Sequence, residues 1–169
     1  MKPDVEIGHS SDIKTTGDLG TIKDAVWFIV GSFLPGIIRA HQGKGIRACC
    51  YCIVHTRTDW SGGANPVIVP IYSNGGPFAF ERVSDWTRQI LKTQGGVGVI
   101  TACEIQGVFD DQDEKAKPRQ MVQVTLEHVG GKLSWRAPSG PKGVGKFTRR
   151  AGEWKGGPFE KLLELGPAN

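Results

Sequence analysis

Residues 120–135 read QMVQVTLEHVGGKLSW, and the fold is decided here. Met121, Val122, Val124, Leu126 and Val129 are interleaved with polar residues over 120–129, the period-two pattern of a β-strand with one face inward. Gly130-Gly131 is a hairpin signal, so residues 132–135 return alongside as a second, antiparallel strand.

Further strands extend this hairpin on its N-terminal side. Residues 97–109 read as a strand that ends in the acidic loop Asp110-Asp111-Gln112-Asp113-Glu114. Residues 46–56 are rich in β-branched, aromatic and Cys side chains and read as a central strand. The turn DWSGGAN at 59–65 leads into a strand at 66–72, where Pro70 points to an edge or a bulge. Ser73-Asn74-Gly75-Gly76 turns the chain, and 78–80 reads as a short hairpin arm.

Helices come from a different period. Thr21 with Asp24 three residues on resembles a capping box, and Val26, Ile29 or Val30, Phe33 and Ile37 recur at helical spacing, which buries one face. Pro35 should kink or end this helix near Leu34. A second helix reads from 84 to 92, capped by Ser84, with Trp86, Ile90 and Leu91 inward and Gly95-Gly96 ending it. A third, short helix is expected near 158–165.

With 169 residues, 38% hydrophobic and 22% charged, the chain has room for one domain and enough apolar surface for its core. The expected fold is α+β: a single domain with one twisted, mostly antiparallel sheet of about five or six strands and two or three helices. Residues 1–20 read as a flexible arm, 21–136 as the α+β core, and 137–169 as a basic, Gly-rich C-terminal segment. The longest apolar run, residues 25–38, falls short of the ~20 residues that a membrane-spanning helix needs.

Charge is placed unevenly. Residues 131–169 carry eight Lys/Arg against three Glu, whereas the first 130 carry thirteen basic against fourteen acidic side chains. A cationic end attracts phosphate, on nucleic acid or on anionic lipid. Cys49, Cys50, Cys52 and Cys103 lack the spacing of a zinc site, and no secreted disulfide framework is visible, so they read as buried free thiols in a reducing, cytoplasmic setting. On a strand, Cys50 and Cys52 share one face and Cys49 and Tyr51 the other. Cys50 and Cys52 stand at odd spacings from His55, which disfavours a thiol–imidazole pair.

No catalytic residue, metal ligand set or cofactor motif emerges, and the chain reads as non-enzymatic. Gly140-Pro141-Lys142-Gly143-Val144-Gly145-Lys146 matches G-x-x-x-x-G-K, but Phe147 stands where a P-loop needs Ser or Thr, and too little chain follows for the rest of that fold. Read as a Gly-Lys loop, it still grips phosphate. Lys142, Lys146, Arg149, Arg150 and Lys155, with Trp135 and Trp154 among them, are the candidates for phosphate, lipid or nucleic-acid binding. Flat rings beside cations suit stacking on single-stranded bases and suit a membrane interface equally. Trp27 and Phe28 are the candidates for membrane or subunit contact.

The order of elements resembles the matrix proteins of rhabdoviruses: an apolar helix at 22–38, the loop Gly43-Lys44, a strand at 46–56, a strand and Gly-rich turn at 66–76, then Ser84-Asp85-Trp86 opening a helix that feeds the strand at 97–109. The likeness covers about half the chain. A Lys-rich N-terminal arm and a P-P-x-Y motif, frequent in that family, are missing here. The resemblance implies a viral structural protein that self-associates, binds the inner face of an anionic membrane and condenses a nucleocapsid, in the host cytoplasm and in the virion. A small RNA-binding regulator that uses the same basic surface is the alternative.

Overall fold

In the computed structural model, the residues described are 5–8, 19–40, 46–55, 66–75, 79–107, 119–150, 159, 162 and 163. Strand β1 (Val5–Ile7) precedes helix α1 (Ile22–Phe28), which runs through a π-helical turn (Ile29–Phe33) into α2 (Leu34–Ala40). Next come β2 (Cys49–His55), β3 (Pro66–Ser73), α3 (Ala79–Gln94), β4 (Gly96–Gly107), β5 (Arg119–His128), β6 (Gly131–Gly140), β7 (Gly143–Val144) and β8 (Thr148–Arg150). Each pairing is antiparallel, in the order β1-β3-β2-β4-β5-β6, and β7 and β8 both pair with β6. The fold is thus the α+β, antiparallel single domain that the alternation predicts. The eight strands among the described residues exceed the expected five or six because three short ones, β1, β7 and β8, are added at the sheet's edges.

Parity sorts the side chains into two cores. One face gathers Cys49, Ile53, Ile100, Ala102, Val122, Val124, Leu126 and Trp135 against Ala25, Phe28, Ile29 and Leu34 of the 22–40 helix. The opposite face gathers Cys50, Cys52, Val54, Val99 and Cys103 against Val83 and Leu91 of α3, with Phe159 and Leu162. Residues 121–128 are therefore all buried. The polar positions of the alternation do not face water: Gln123 accepts from Arg136 Nε at 2.8 Å, and Glu127 accepts from the Leu163 N–H at 3.0 Å.

Thr21 caps α1 as its sequence predicts, its hydroxyl accepting from the Asp24 N–H at 3.2 Å. Pro35 does not end the helix near Leu34. The Leu34 N–H reaches back five residues to the Ile29 carbonyl, and this wider turn carries the chain past a proline that has no N–H to give. The second helix differs more. It begins at Ala79, so residues 79–80 are helix rather than a hairpin arm, and Ser84 is buried within it rather than capping it. Its inward stripe is Ala79, Val83, Thr87 and Leu91, each four apart, which turns Trp86 outward. Gly95, at φ +71°, terminates it.

Both sheet edges are blunted. The Pro70 carbonyl accepts from the Gly8 N–H at 2.9 Å, so residue 70 and, by period two, residue 66 point outward from β3. Both are proline and offer no outward donor, and Pro70 sits where the cover that β1 gives to residues 71–73 of β3 comes to its end. Where the sequence reads as a loose arm, Val5–Ile7 pairs with residues 71–73 of β3. On the other side the expected loop from Ala137 onward contains sheet: β6 runs to Gly140, and the short β7 and β8 follow as far as Arg150. Its Gly and Lys content marks the tight β6–β7 turn, where Gly143 adopts φ +113°. The expected helix near 158–165 lies largely outside the described residues.

Leu126→Ala, at a fully buried position, should lower stability by about 2–5 kcal/mol in denaturant unfolding. Val30→Ala, on the outer side of the helix, should stay within about 0.5 kcal/mol. Equal losses at the two positions would contradict the assignment of faces.

Candidate functional site

The 22–40 helix buries one side and leaves an apolar stripe on the other. Trp27 is 70% exposed, Val30 52% and Ile38 40%, with Gly31 and Ser32 between them also exposed. Lys23 and Arg39 flank the stripe, and Asp24 is the helix's one acidic side chain. Helix α2 touches β7, so the β6–β7 turn that carries Lys142 borders the helix. Val144 and Phe147 pack into the same core as the helix, and Lys142, Lys146 and Arg149 are exposed around them. Arg149 stands opposite Trp135 in the register, which puts it on the helix-covered face of the sheet. Cations and apolar stripe therefore share one side of the molecule.

The sequence's candidates divide on this geometry. Trp27, Lys142, Lys146 and Arg149 fall on the shared surface. Arg150 pairs with Ser134 and is directed to the opposite face, half-buried. Trp135 is corrected: it is 4% exposed in the core beneath the helix, so no ring face is open for a base or a lipid. Phe28 is corrected likewise. It is 9% exposed and contacts Phe33, because one residue's step along a helix turns the side chain by about 100°, away from Trp27's side. Trp154 and Lys155 lie outside the described residues. Lys23, Ile38 and Arg39 were not singled out by sequence reasoning, and Val30, offered there as the alternative to Ile29 for the buried face, is exposed while Ile29 is buried.

A second concave region lies between the ends of β2 and β3 and the start of α3, bounded by Glu6, Arg47, Asn74, Phe80 and Glu104. Its charges answer one another. Arg47 pairs with Glu6 at 3.0 Å, donates to Asn74 and lies 4.6 Å over the Tyr72 ring. Glu104 accepts from the Ile46 N–H at 2.9 Å and from Gln120.

All four cysteines are free and buried, with Cys50 and Cys52 on one face and Cys49 on the other. Burial pushes the Cys49, Cys52 and Cys103 thiols up to about 12 and that of Cys50 well above its ordinary range. The Tyr51 hydroxyl beside Cys49 and the Thr87 hydroxyl beside Cys50 and Cys52 oppose this only in part. Among the described residues no three His, Cys, Asp or Glu side chains form a group able to hold a metal ion. Among those residues, too, no helix is long and apolar enough to cross a membrane. Comparison with protein-family models, curated proteins and solved structures finds no match to this chain.

A neutral-pH thiol reagent should leave the folded protein unlabelled and modify all four cysteines once it is denatured. Fast labelling of any one in the native state would contradict its burial. The raised thiols also set a sign for stability against pH. The native state holds the protons more tightly, so the contribution is complete below the ordinary thiol range of about 8.5 and is lost as pH rises from there toward about 12. Unfolding midpoints measured across that window should fall with rising pH, and the fall should lessen in a Cys49→Ala variant.

Proposed function

We propose that this chain is a non-enzymatic, matrix-like structural protein that attaches to the anionic face of a membrane. One observation carries the reading: an exposed apolar stripe on the 22–40 helix, bordered on the same side by Lys23, Arg39, Lys142, Lys146 and Arg149. That is the composition of a helix lying in an interface, with apolar residues toward the acyl boundary and cations at the phosphates.

Magnitudes decide how the two parts divide the work. A cation near an anionic surface contributes about 1 kcal/mol, so the five named here supply about 5 kcal/mol, sub-millimolar binding at best. Burying an exposed Trp or Val side chain adds roughly 1.5–3 kcal/mol when complete. Trp27 and Val30 together bring attachment to the micromolar range, and neither part suffices alone. Self-association, nucleocapsid binding and a place at the cytoplasmic face are what the family resemblance contributes to this reading. The RNA-binding alternative uses the same cations but loses Trp135 as a stacking platform, because that ring is buried.

Liposome flotation tests the proposal. Anionic vesicles at low salt should carry the protein, neutral vesicles should not, and moderate salt should weaken binding at least tenfold. Lys142→Ala with Lys146→Ala and Arg149→Ala should abolish flotation. Trp27→Ala should weaken it about tenfold while leaving its salt dependence unchanged, since that residue acts through apolar burial. No flotation under any condition would overturn the membrane reading. Salt-resistant quenching of tryptophan fluorescence by an oligonucleotide, without flotation, would put RNA binding in its place.

A further inference from the structure

His128 ends β5, where the chain turns into β6, and it is 7% exposed. Its Nδ1 accepts a hydrogen bond from the Gly130 N–H at 3.0 Å. An imidazole nitrogen that accepts carries no proton, so the neutral ring bears its hydrogen on Nε2. That atom is buried and has no hydrogen-bond partner among the described residues. The ring is crowded on both sides by glycine. A Cβ on Gly98 would lie 2.9 Å from Cδ2 of the ring, and one on Gly130 would lie 3.4 Å from Nδ1.

The same turn seats the start of α1. A Cβ on Gly130 would meet the Ile22 Cβ at 3.2 Å, and one on Gly131 would meet its Cδ1 at 3.1 Å, so both glycines exist in contact with the helix's first residue. The turn is held from its other side by the Val129 N–H, which donates to the Val97 carbonyl at 3.0 Å. One ring thus fixes the turn, and the turn supports the helix.

We propose that His128 is an acid-sensitive latch: its neutral ring locks the β5–β6 turn against the first turn of α1, and protonation releases the two together. An imidazolium donates from both nitrogens, so a proton on Nδ1 would face the Gly130 N–H, donor against donor, inside a buried site. Among the described residues packed against the ring, none supplies a countercharge. Gly98 of β4 and Ile53 of β2 are uncharged; on the same face of β2 burial keeps Cys49 and Tyr51 neutral, Cys50 and Cys52 belong to the other face, and His55 lies two residues beyond Ile53. Glu127 and Lys132 pair with each other in the register and stand on the other face of the hairpin. On α1 the charged neighbours of Ile22 are Lys23, which is exposed, and Asp24, which is half-buried and follows the Thr21 cap. As a latch the inference stands on this geometry alone. As a control on the lipid-facing helix it rests on the membrane reading above.

Hydrogen–deuterium exchange on the full chain, without lipid, tests the latch at about pH 7.4 and about pH 5.4, the interval in which histidine changes charge. After correction for intrinsic rates, acidification should lower protection at least tenfold in residues 19–40 and 119–135, and less than twofold in α3. His128→Gln, whose side-chain oxygen accepts but takes no proton, should keep its protection at the lower pH. That variant also separates His128 from His9, His41 and His55. Unchanged wild-type protection, or an equal loss in His128→Gln, overturns the latch. Should the variant not fold, imidazole nitrogen NMR of the wild type at the higher pH decides: an unprotonated Nδ1 on His128 supports the proposal and a protonated one overturns it. Flotation on anionic vesicles at the two pH values then tests the coupling. A pH-dependent change in wild type alone supports it; exchange that responds to acid while flotation does not overturns the coupling and leaves the latch standing.

Discussion

Because residues 121–128 are buried on both sides, β5 requires a covering layer on each face and an internal partner for every polar group it carries. The first requirement is met by the 22–40 helix on one face and by α3, with Phe159 and Leu162, on the other. The second is met within the sheet and its cover for Gln123 and Glu127, whereas the buried His128 Nε2 is without a partner among the described residues. Gln123 is answered by Arg136 across the β5–β6 pair, and Glu127 by the Leu163 backbone. A guanidinium 8% exposed is costly unless bonded, so Arg136 and Gln123 depend on each other.

The covering helix meets a constraint of its own. Ala25, Phe28, Ile29 and Leu34 must all face the sheet, and Pro35 stands directly after the last of them. An α-helical ladder through this point would ask Pro35 for a hydrogen bond it cannot make. The π turn removes the demand and keeps Leu34 buried. At the sheet's margins, two outward prolines on β3 and a three-residue β8 carrying Arg149 and Arg150 discourage pairing with further strands.

Much of this was legible in the chain. The β5–β6 hairpin, the Thr21 cap and the cysteine faces each follow from local spacing. What escaped depended on distant partners. Gln123, Thr125 and Glu127 look solvent-facing in an alternating strand, and only a second covering layer buries them. The Phe-Ala-Phe at 78–80 has the composition of a strand, while residues 79–80 belong to a helix whose inward stripe begins at Ala79. Residues 143–150 look like a glycine-lysine loop until β6 offers them an edge. At the candidate site, composition found Trp27 and the lysines, whereas separating Trp27 from Phe28 and removing Trp135 required knowing which side of the helix the sheet occupies.

The outer stripe of the 22–40 helix is hard to account for by stability alone. Trp27 and Val30 make no contribution to either core, and polar residues at those positions would keep the helix amphipathic while lowering the apolar area open to water. Helix propensity does not favour them either, since β-branched and aromatic residues rank below Lys, Glu or Gln at exposed positions. Residues that cost solubility and add nothing to packing or propensity are what the proposed attachment would put to use, as contact with something outside the fold. The cations on the same side narrow what that is. An apolar partner surface gains nothing from Lys142, Lys146 and Arg149, whereas an anionic interface with an apolar interior uses both sets at once.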